Sequence, residues 1–349
     1  MILFFGDIHF GTTHRFSNIT DNGFTVRENE HLSCLESLKR ILSEKQITKC
    51  VFGGDMYGPV GDNISGETQC AVVKFVSELA QECKKYNIPF EMLVGNHDTI
   101  HDAVVFGINK LSPFKYFDNV KLYDHPTVDG NYVYLPFSYN DDEVSQFLEK
   151  IEDKENKIVF SHMDLSGIEL GGGIMTKRGI SLDQLKDFKK VFEAHYHSFT
   201  RLGKNIFVCG STQRLSFKDK GVSRNNIVLY DETTDEVTRE SFNCPDWLTF
   251  TDDNIKDILK TDNNNYVKID LSMDVLYTDE IKEKAQQMKN TDLHIDVSRI
   301  VLNKKVEENV SSEDEIDIIQ QFVNRSDNNE EQKEKLIEKG INLINRVKN

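Results

Sequence analysis

The chain has 349 residues, of which 38% are hydrophobic and only 6 are Pro, so a collagen-like or wholly disordered protein is excluded. Its net charge of -16 argues against strong electrostatic binding of nucleic acid, although residues 171–224 contain eleven Lys or Arg and four Asp or Glu. That segment is either a solvated basic face or a surface that follows a phosphate backbone. Apolar runs are too short for a membrane span or a signal peptide, which predicts a cytoplasmic protein with no membrane partner and with reduced cysteines.

Over residues 1–244, short β-branched or aromatic runs alternate with longer stretches of helical period, which is typical of a layered α/β domain. Strands are predicted at residues 2–5, 49–53, 90–94, 120–123, 132–136, 157–160, 190–194, 205–209 and 225–230. Helices are predicted at residues 28–45, 65–87, 141–152 and 181–188. In the first helix, Leu35, Leu38 and Leu42 share one face.

The sequence changes character near Pro245. Residues 245–302 combine a strand (267–271), a helix (278–289) and a second strand (293–302), which predicts a small separate α+β domain. Residues 303–329 are acidic with few large apolar side chains, and they predict a linker. Residues 330–349 predict a terminal amphipathic helix whose apolar stripe includes Leu336, Ile337, Ile341, Ile344 and Val347. This helical tail packs either on its own domain or on a partner, and the pattern leaves both open.

Five short strings of metal-ligand residue types each follow a predicted strand. They are Gly6-Asp7-Ile8-His9-Phe10-Gly11, Gly53-Gly54-Asp55, Gly95-Asn96-His97-Asp98, Ser161-His162 and Ala194-His195-Tyr196-His197. Loops at the carboxyl ends of strands converge on one edge of an α/β sheet, so these strings can share a site. Carboxylate, amide and imidazole donors without thiolate suit Mn, Mg, Fe or Zn. If His97 and Asp98 have other roles, the remaining seven side chains are too many for one ion and about right for two that share a carboxylate.

In this order the five strings resemble the signature of the calcineurin-like metallophosphoesterases. The resemblance implies a layered β-sandwich core flanked by helices and a dinuclear metal-dependent phosphodiesterase. Asp98 stands where Ser/Thr protein phosphatases have Glu, and Asp55 lacks their Asp-Arg-Gly continuation, so that branch is disfavoured. The stretch from Gly210-Ser211 to Ser216-Phe217 is similar to the one that closes the nuclease core in the SbcD family, the nuclease half of double-strand-break repair nuclease and ATPase complexes. The layout of the whole chain resembles compact T-even phage members of that family.

The SbcD resemblance also implies roles for individual residues. One ion would be bound by Asp7, His9, Asp55 and His197, and the other by Asp55, Asn96, His162 and His195. His97 would face the scissile phosphate as an acid or charge stabiliser, and Asp98 would fix the tautomer of His97. Two departures from the family pattern stand out. Ala194 replaces the usual Gly, which should be tolerated if its φ is ordinary, and Met56-Tyr57-Gly58 replaces the usual Phe-Asp.

The resemblance therefore implies a metal-dependent DNA exonuclease or endonuclease, with Mn as the expected ion, that acts in DNA recombination, repair or end processing. It also implies a homodimer, a partner ATPase of the SMC-like, coiled-coil SbcC type bound by residues 330–349, and a DNA-capping role for residues 245–302. Within the basic segment, Arg214, Lys218 and Lys220 are the predicted phosphate contacts.

Two alternative functions remain open at this point. One is a phosphodiesterase acting on small molecules or cyclic nucleotides, for which the stretch after His197, the small domain and the tail would be unnecessary. The other is a non-catalytic scaffold that kept the fold. The intact set of potential ligands argues against the scaffold.

Overall fold

The computed structural model describes residues 1–11, 18–59, 64–100, 107–168, 176–215, 217, 226–242, 244–272, 276–288 and 290–295, together with the helical positions 323, 333, 335–337 and 339. The chain forms two compact units. The first contains Met1–Leu248, Asp262–Tyr266 and Met288–Asn290, and the second contains Thr249–Thr261, Val267–Gln287 and Thr291–Asn349. Apart from the helical positions just given, the predicted linker (303–329) and tail helix (330–349) lie outside the described residues.

The described strands, in chain order, are β1 (Ile2–Phe5), β2 (Lys49–Phe52), β3 (Phe90–Leu93), β4 (Val120–Tyr123), β5 (Thr127–Asp129), β6 (Tyr132–Leu135), β7 (Ile158–Ser161), β8 (Leu165–Ser166), β9 (Ile180–Ser181), β10 (Lys190–Glu193), β11 (Thr200–Leu202), β12 (Ile206–Val208), β13 (Ile227–Asp231), β14 (Glu236–Glu240), β15 (Trp247–Thr251), β16 (Tyr266–Leu271) and β17 (Asn290–Ile295). The described α-helices are α1 (Val26–Glu44), α2 (Gly66–Lys85), α3 (Asp141–Glu149), α4 (Leu182–Leu185) and α5 (Asp279–Gln287).

The first unit is built on two six-stranded sheets. One has the order β14-β13-β1-β2-β3-β4, and β1 to β4 are parallel to one another. The other has the order β11-β12-β10-β7-β6-β5, in which β12, β10, β7 and β6 are parallel. A short parallel pair, β8 and β9, lies outside both sheets. The second unit contains α5 and most of a three-stranded sheet with the order β15-β16-β17.

Alternation of side chains along the strands creates the layers of the first unit. Ile2 and Phe4 pack between the two sheets, whereas Leu3 and Phe5 pack on the opposite face of β1 with the buried residues of α1 and α2. The outer face of the second sheet packs against α3 and α4. A strand that is buried on both faces has a continuous apolar run in its sequence. The predicted layered sandwich flanked by helices is therefore confirmed.

Polar residues define where the main helices begin. Thr25 caps α1 with a capping box, because its hydroxyl accepts the N–H of Glu28 while its own N–H donates to the Glu28 carboxylate. Ser65 caps α2 and Asn140 caps α3 in the simpler one-sided way. Among the described residues, no helix combines the length and apolarity needed to cross a bilayer.

Candidate metal centre

The five predicted strings meet at one edge of the sandwich, each at the carboxyl end of a strand. β1, β2, β3, β7 and β10 are followed by Asp7, Asp55, Asn96, His162 and His195 respectively. Three overlapping groups each have ligand atoms within 4.8 Å of one another, and they are Asp7, His9 and His197; His9, Asp55 and His97; and Asp55, His162 and His195. Asn96 adjoins the last group, since its Oδ1 lies 3.2 Å from His162 Nε2 and 3.0 Å from His195 Nδ1. The fold thus brings all seven predicted ligands together.

Asp7 shows that this cluster suits a cation. The residue is fully buried, and its Oδ2 accepts the N–H of His195 at 3.1 Å. Its Oδ1 accepts no hydrogen bond within the described part of the chain, and it lies 3.7 Å from His9 Nε2 and 3.9 Å from His197 Nε2. A buried carboxylate oxygen without a donor is costly. A divalent ion held by this oxygen and imidazole donor set would remove that cost.

Four of the predicted ligands adopt left-handed backbone conformations. The φ angles are +53° for Asp7, +58° for His9, +57° for Asp55 and +68° for His195. Such conformations cost about 1–3 kcal/mol each outside Gly and occur where surrounding structure enforces them, often at functional sites. Here the first string pairs with the second, because the N–H of Asp7 donates to the Gly54 carbonyl and the N–H of His9 to that of Asp55.

Asp55 occupies the centre of the cluster. Its Oδ2 lies 3.7 Å from His9 Nε2 and 3.3 Å from His162 Nε2, and its Oδ1 accepts the N–H of His97 at 2.9 Å. Burial by itself would raise the pKa of Asp55, but the nearby His162, His9 and His97 outweigh it and hold that pKa well below its usual range. A carboxylate that stays ionised and faces both ligand groups has the properties required of a bridging ligand.

His162 is oriented by the backbone of the second string. Its Nδ1 lies 2.7 Å from the Gly53 carbonyl, which can only accept, so Nδ1 carries a proton and Nε2 faces Asp55. Burial opposes the charged form, but the Asp55 carboxylate outweighs burial and raises the pKa of His162 to about 10. Gly54 has a φ of +105°, and a Cβ there would lie 2.6 Å from His162 Nδ1, so this approach requires Gly.

His97 faces the same cavity from the third string. Its ring centre lies 5.3 Å from that of His9, and its side chain is half-buried. Burial lowers the pKa of His97, although the Asp55 charge opposes the shift, so the neutral imidazole is favoured. The backbone of His97 is fixed at both ends, since its N–H donates to Asp55 and its carbonyl accepts Nζ of Lys110 at 2.8 Å.

The predicted role of Asp98 needs correction. Its buried carboxylate accepts the backbone N–H groups of Asp55 (2.8 Å), Gly95 (3.0 Å) and Tyr57 (3.0 Å), and not the His97 imidazole. Burial raises the pKa of Asp98 to about 7 and the Asp55 charge adds to the shift, while the N–H donors oppose it. Asp98 therefore ties the second string to the third instead of fixing the His97 tautomer.

The predicted phosphate contacts also change. Arg214 donates to the Trp247 carbonyl at 3.0 Å and lies 3.4 Å from Asp246, with its side chain 20% exposed. These intramolecular bonds engage its guanidinium, so the prediction that Arg214 contacts phosphate loses its support. Lys218 and Lys220 lie outside the described residues.

Sequence reasoning missed two acidic residues beside the cluster. The carboxylate of Asp164 lies 3.0 Å from His195 Nε2, and its spacing, His162-Met163-Asp164, repeats that of Asp7 and His9. Glu193 is fully buried and accepts the Met163 N–H at 2.8 Å, and burial raises its pKa to about 8. The sequence signal for Glu193 was an acidic residue within the apolar run of β10.

Ala194 is not among the residues with positive φ. The predicted condition for replacing the usual Gly by Ala at this position is therefore met.

Comparisons with known proteins agree with this geometry. Residues 1–207 match the profile of the calcineurin-like phosphoesterase family, in which divalent metal ions are implied. The chain is 26% identical over 180 residues to exonuclease subunit 1 of Enterobacteria phage T4, which covers 51% of this chain and 52% of that relative. The matched region thus spans about half the length of the relative. Because the family profile covers more than half of its residues, the chain belongs to the calcineurin-like phosphoesterase family.

Proposed function

We propose that this protein is a metal-dependent DNA nuclease that hydrolyses phosphodiester bonds with a two-metal centre. The observation that carries the proposal is the position of Asp55, whose carboxylate faces two groups of ligand atoms at one edge of the sandwich. DNA as the substrate is supported by the similarity to a phage protein named exonuclease subunit 1. The nuclease proposal includes both exonuclease and endonuclease activity.

In this proposal Asp7, His9, Asp55 and His197 hold one ion, and Asp55, Asn96, His162 and His195 hold the other. Oxygen and nitrogen donors without thiolate suit Mn, Mg, Fe or Zn, and of these we take Mn, the ion that the family resemblance implies, as the activating ion. When bound, two such ions neutralise the non-bridging oxygens of a phosphodiester and activate water for in-line attack. The polypeptide contributes a fixed geometry, because Asp98, Gly53 and the paired backbones of the first two strings orient the ligand side chains.

His97 is the proposed acid or charge stabiliser. Its half-buried imidazole faces the group formed with His9 and Asp55, and its backbone is held by Asp55 and Lys110. From this position a ring N–H can donate to an oxygen of the substrate as negative charge develops there. His97→Ala should then abolish turnover, by about 10²–10⁴-fold, while both ions still bind.

The decisive experiment is cleavage of end-labelled duplex and single-stranded DNA with Mn, Mg or no metal, alongside a generic phosphodiester dye. We expect metal-dependent DNA degradation that is lost in His97→Ala and retained in His125→Ala, whose side chain is 63% exposed. Hydrolysis of the dye with intact DNA would favour a small-molecule phosphodiesterase. Loss of bound metal in His97→Ala would contradict the role assigned to His97.

We place phosphate contacts on Lys177 and Arg178 in preference to Arg214. Both side chains are exposed, and the next residue, Gly179, packs against the Asp164 backbone beside His195. Replacing both with Ala should weaken DNA binding and reduce the slope of log affinity against log salt by roughly 0.9 for each lost phosphate contact on duplex DNA. The matched control is Lys84→Ala with Lys85→Ala, an adjacent exposed pair at the carboxyl end of α2. An unchanged slope would remove Lys177 and Arg178 from the proposal.

We further propose that the protein acts in DNA recombination, repair or end processing as a homodimer with an SMC-like ATPase of the SbcC type. Support comes from the word "subunit" in the name of the phage relative and from the apolar stripe in residues 330–349. That stripe is suited to a helix-in-groove contact with a coiled coil. Deleting residues 330–349 should abolish copurification with the ATPase and leave intrinsic nuclease activity unchanged. Retained copurification would refute this role of the tail.

A further inference from the structure

His195 is held between two oxygen atoms on opposite sides of its ring. Its Nδ1 lies 3.0 Å from Asn96 Oδ1, within the cluster, and its Nε2 lies 3.0 Å from Asp164 Oδ1. Both oxygens can only accept a hydrogen bond, and a neutral imidazole has one N–H to donate. The ionised carboxylate is the stronger acceptor, so the imidazole proton belongs on Nε2. The lone pair of Nδ1 then points toward Asn96 Oδ1, and His195 as a whole belongs to one group of ligand residues with Asp55 and His162.

Asp164 is itself fixed by the chain around it. Its carbonyl accepts the N–H of Ile180 at 2.9 Å, in register with the short parallel pair of β8 and β9. Gly179, with a φ of +98°, lies so close to this carbonyl that any Cβ would collide with it. The hydroxyl of Tyr196 accepts the N–H of Leu165 at 2.8 Å and so links β8 to the residue next to His195.

As neutral rings, the form in which imidazoles bind a metal, the two imidazoles that face Asn96 are thus held in opposite tautomers. Gly53 places the proton of His162 on Nδ1, and Asp164 places that of His195 on Nε2. A neutral carbonyl orients a ring, whereas a carboxylate also increases the basicity of the far nitrogen. Asp164 is 44% exposed, so it reaches His195 from the solvent side of the cluster.

We propose that Asp164 is a positioning residue of the metal centre, whose carboxylate holds His195 in the Nε2–H tautomer with Nδ1 presented to the second ion. This inference rests on the proposed two-metal function and goes beyond its ligand set. Asp164 touches neither the ion nor the substrate, so its effect passes through His195. Removing it should weaken the binding of one ion and leave the other, on the side of Asp7 and His197, unaffected.

The first readout needs no metal. Protein with ¹⁵N-labelled His is examined by NMR over a series of pH values, so that the tautomer is determined where the ring is neutral, and the His195 signal is identified by its loss in His195→Gln. We expect the Nε2–H tautomer in the wild type and a mixture of tautomers in Asp164→Ala. Asp164→Asn should keep more of the Nε2–H tautomer than Asp164→Ala does, because its amide oxygen still accepts, and the exposed Asp183→Ala should match the wild type.

The second readout is calorimetric titration with Mn²⁺. Asp164→Ala should weaken one of the two sites by about 10–100-fold, and Asp164→Asn should weaken it less. An unchanged His195 tautomer in Asp164→Ala, or affinities equal to those of the wild type at both sites, would overturn the proposal. Failure of the nuclease proposal can be distinguished from failure of the Asp164 proposal. A wild-type protein that binds Mn²⁺ without cutting DNA would refute the nuclease, and the tautomer and the Mn²⁺ affinities would still decide the role of Asp164.

Discussion

Replacing Asp98 distinguishes a residue that supports the backbone from one that acts through His97. The carboxylate accepts three buried N–H groups, those of Asp55, Gly95 and Tyr57. Each buried donor left unsatisfied costs ~1–3 kcal/mol, and the costs are not fully additive. We therefore expect Asp98→Ala to lower the free energy of unfolding by about 3–5 kcal/mol.

The isosteric Asp98→Asn should lower the free energy of unfolding less than Asp98→Ala does, and the loss should come from one of the three hydrogen bonds. An amide oxygen at the Oδ2 position still accepts from Asp55 and Gly95, but the amide NH₂ then faces the N–H of Tyr57. One unsatisfied donor predicts a loss of about 1–3 kcal/mol. Because Asp98 anchors the backbone of Asp55, both variants should also lose metal affinity.

The assays are urea unfolding of the metal-free protein, calorimetric Mn²⁺ titration and DNA cleavage, each run beside His97→Ala. Asp98 variants should lose stability, metal binding and cleavage together, whereas His97→Ala should lose only cleavage. The reasoning fails if Asp98→Asn keeps the stability and metal affinity of the wild type and loses cleavage alone. That pattern would return Asp98 to the tautomer-fixing role that sequence resemblance implies.

Three further predictions concern the same edge of the sandwich. Gly95→Ala should abolish binding of both ions, because a Cβ there collides with the backbone and carboxylate of Asp55. The control in calorimetric titration is Gly66→Ala, because Gly66, like Gly95, has no positive φ and a Cβ there meets nothing within 4 Å. Mn²⁺ binding should release about one proton from His162 between pH 7 and 9, and the affinity for Mn²⁺ should rise with pH. The reason is that a pKa of about 10 keeps His162 protonated until a metal requires its lone pair. Calorimetric titration in buffers of different ionisation enthalpy measures the number of protons released. Arg214→Ala should lower the unfolding free energy by about 1–3 kcal/mol, since the bonds to Trp247 and Asp246 are lost, without changing the salt slope of DNA binding.

The sequence was sufficient for most strands and for the clustering of the candidate ligands, because both depend on local patterns. β1 is apolar throughout and β10 has an apolar centre, and one residue separates these strands from Asp7 and His195 respectively. The carboxyl ends of parallel strands must meet at an edge. Strands with exposed or very short patterns escaped prediction. β14 is largely exposed, and β8 is only 2 residues long.

The supporting contacts could not be predicted in the same way. Asp98 and Asp164 both adjoin ligand strings, yet one turns to backbone N–H groups and the other to an imidazole. Their choices depend on where the second string and the β8–β9 pair pass in space, which residue spacing does not encode. Arg214 likewise lies in the basic segment but is engaged by Asp246 and Trp247, residues more than thirty positions away.

The way the ligand backbones are held indicates that the site geometry precedes metal binding. Positive φ at Asp7, His9 and Asp55 costs about 1–3 kcal/mol for each residue. That cost is offset by hydrogen bonds of the polypeptide itself, from Asp7 to Gly54, from His9 to Asp55 and from the Asp55 N–H to Asp98. An ion arriving at this edge meets a backbone that is already ordered at these residues, so little of its binding free energy is spent on ordering the chain. The structural role of Asp98 and the proposed role of Asp164 are therefore two parts of one arrangement, which would fix the candidate ligands before any ion binds.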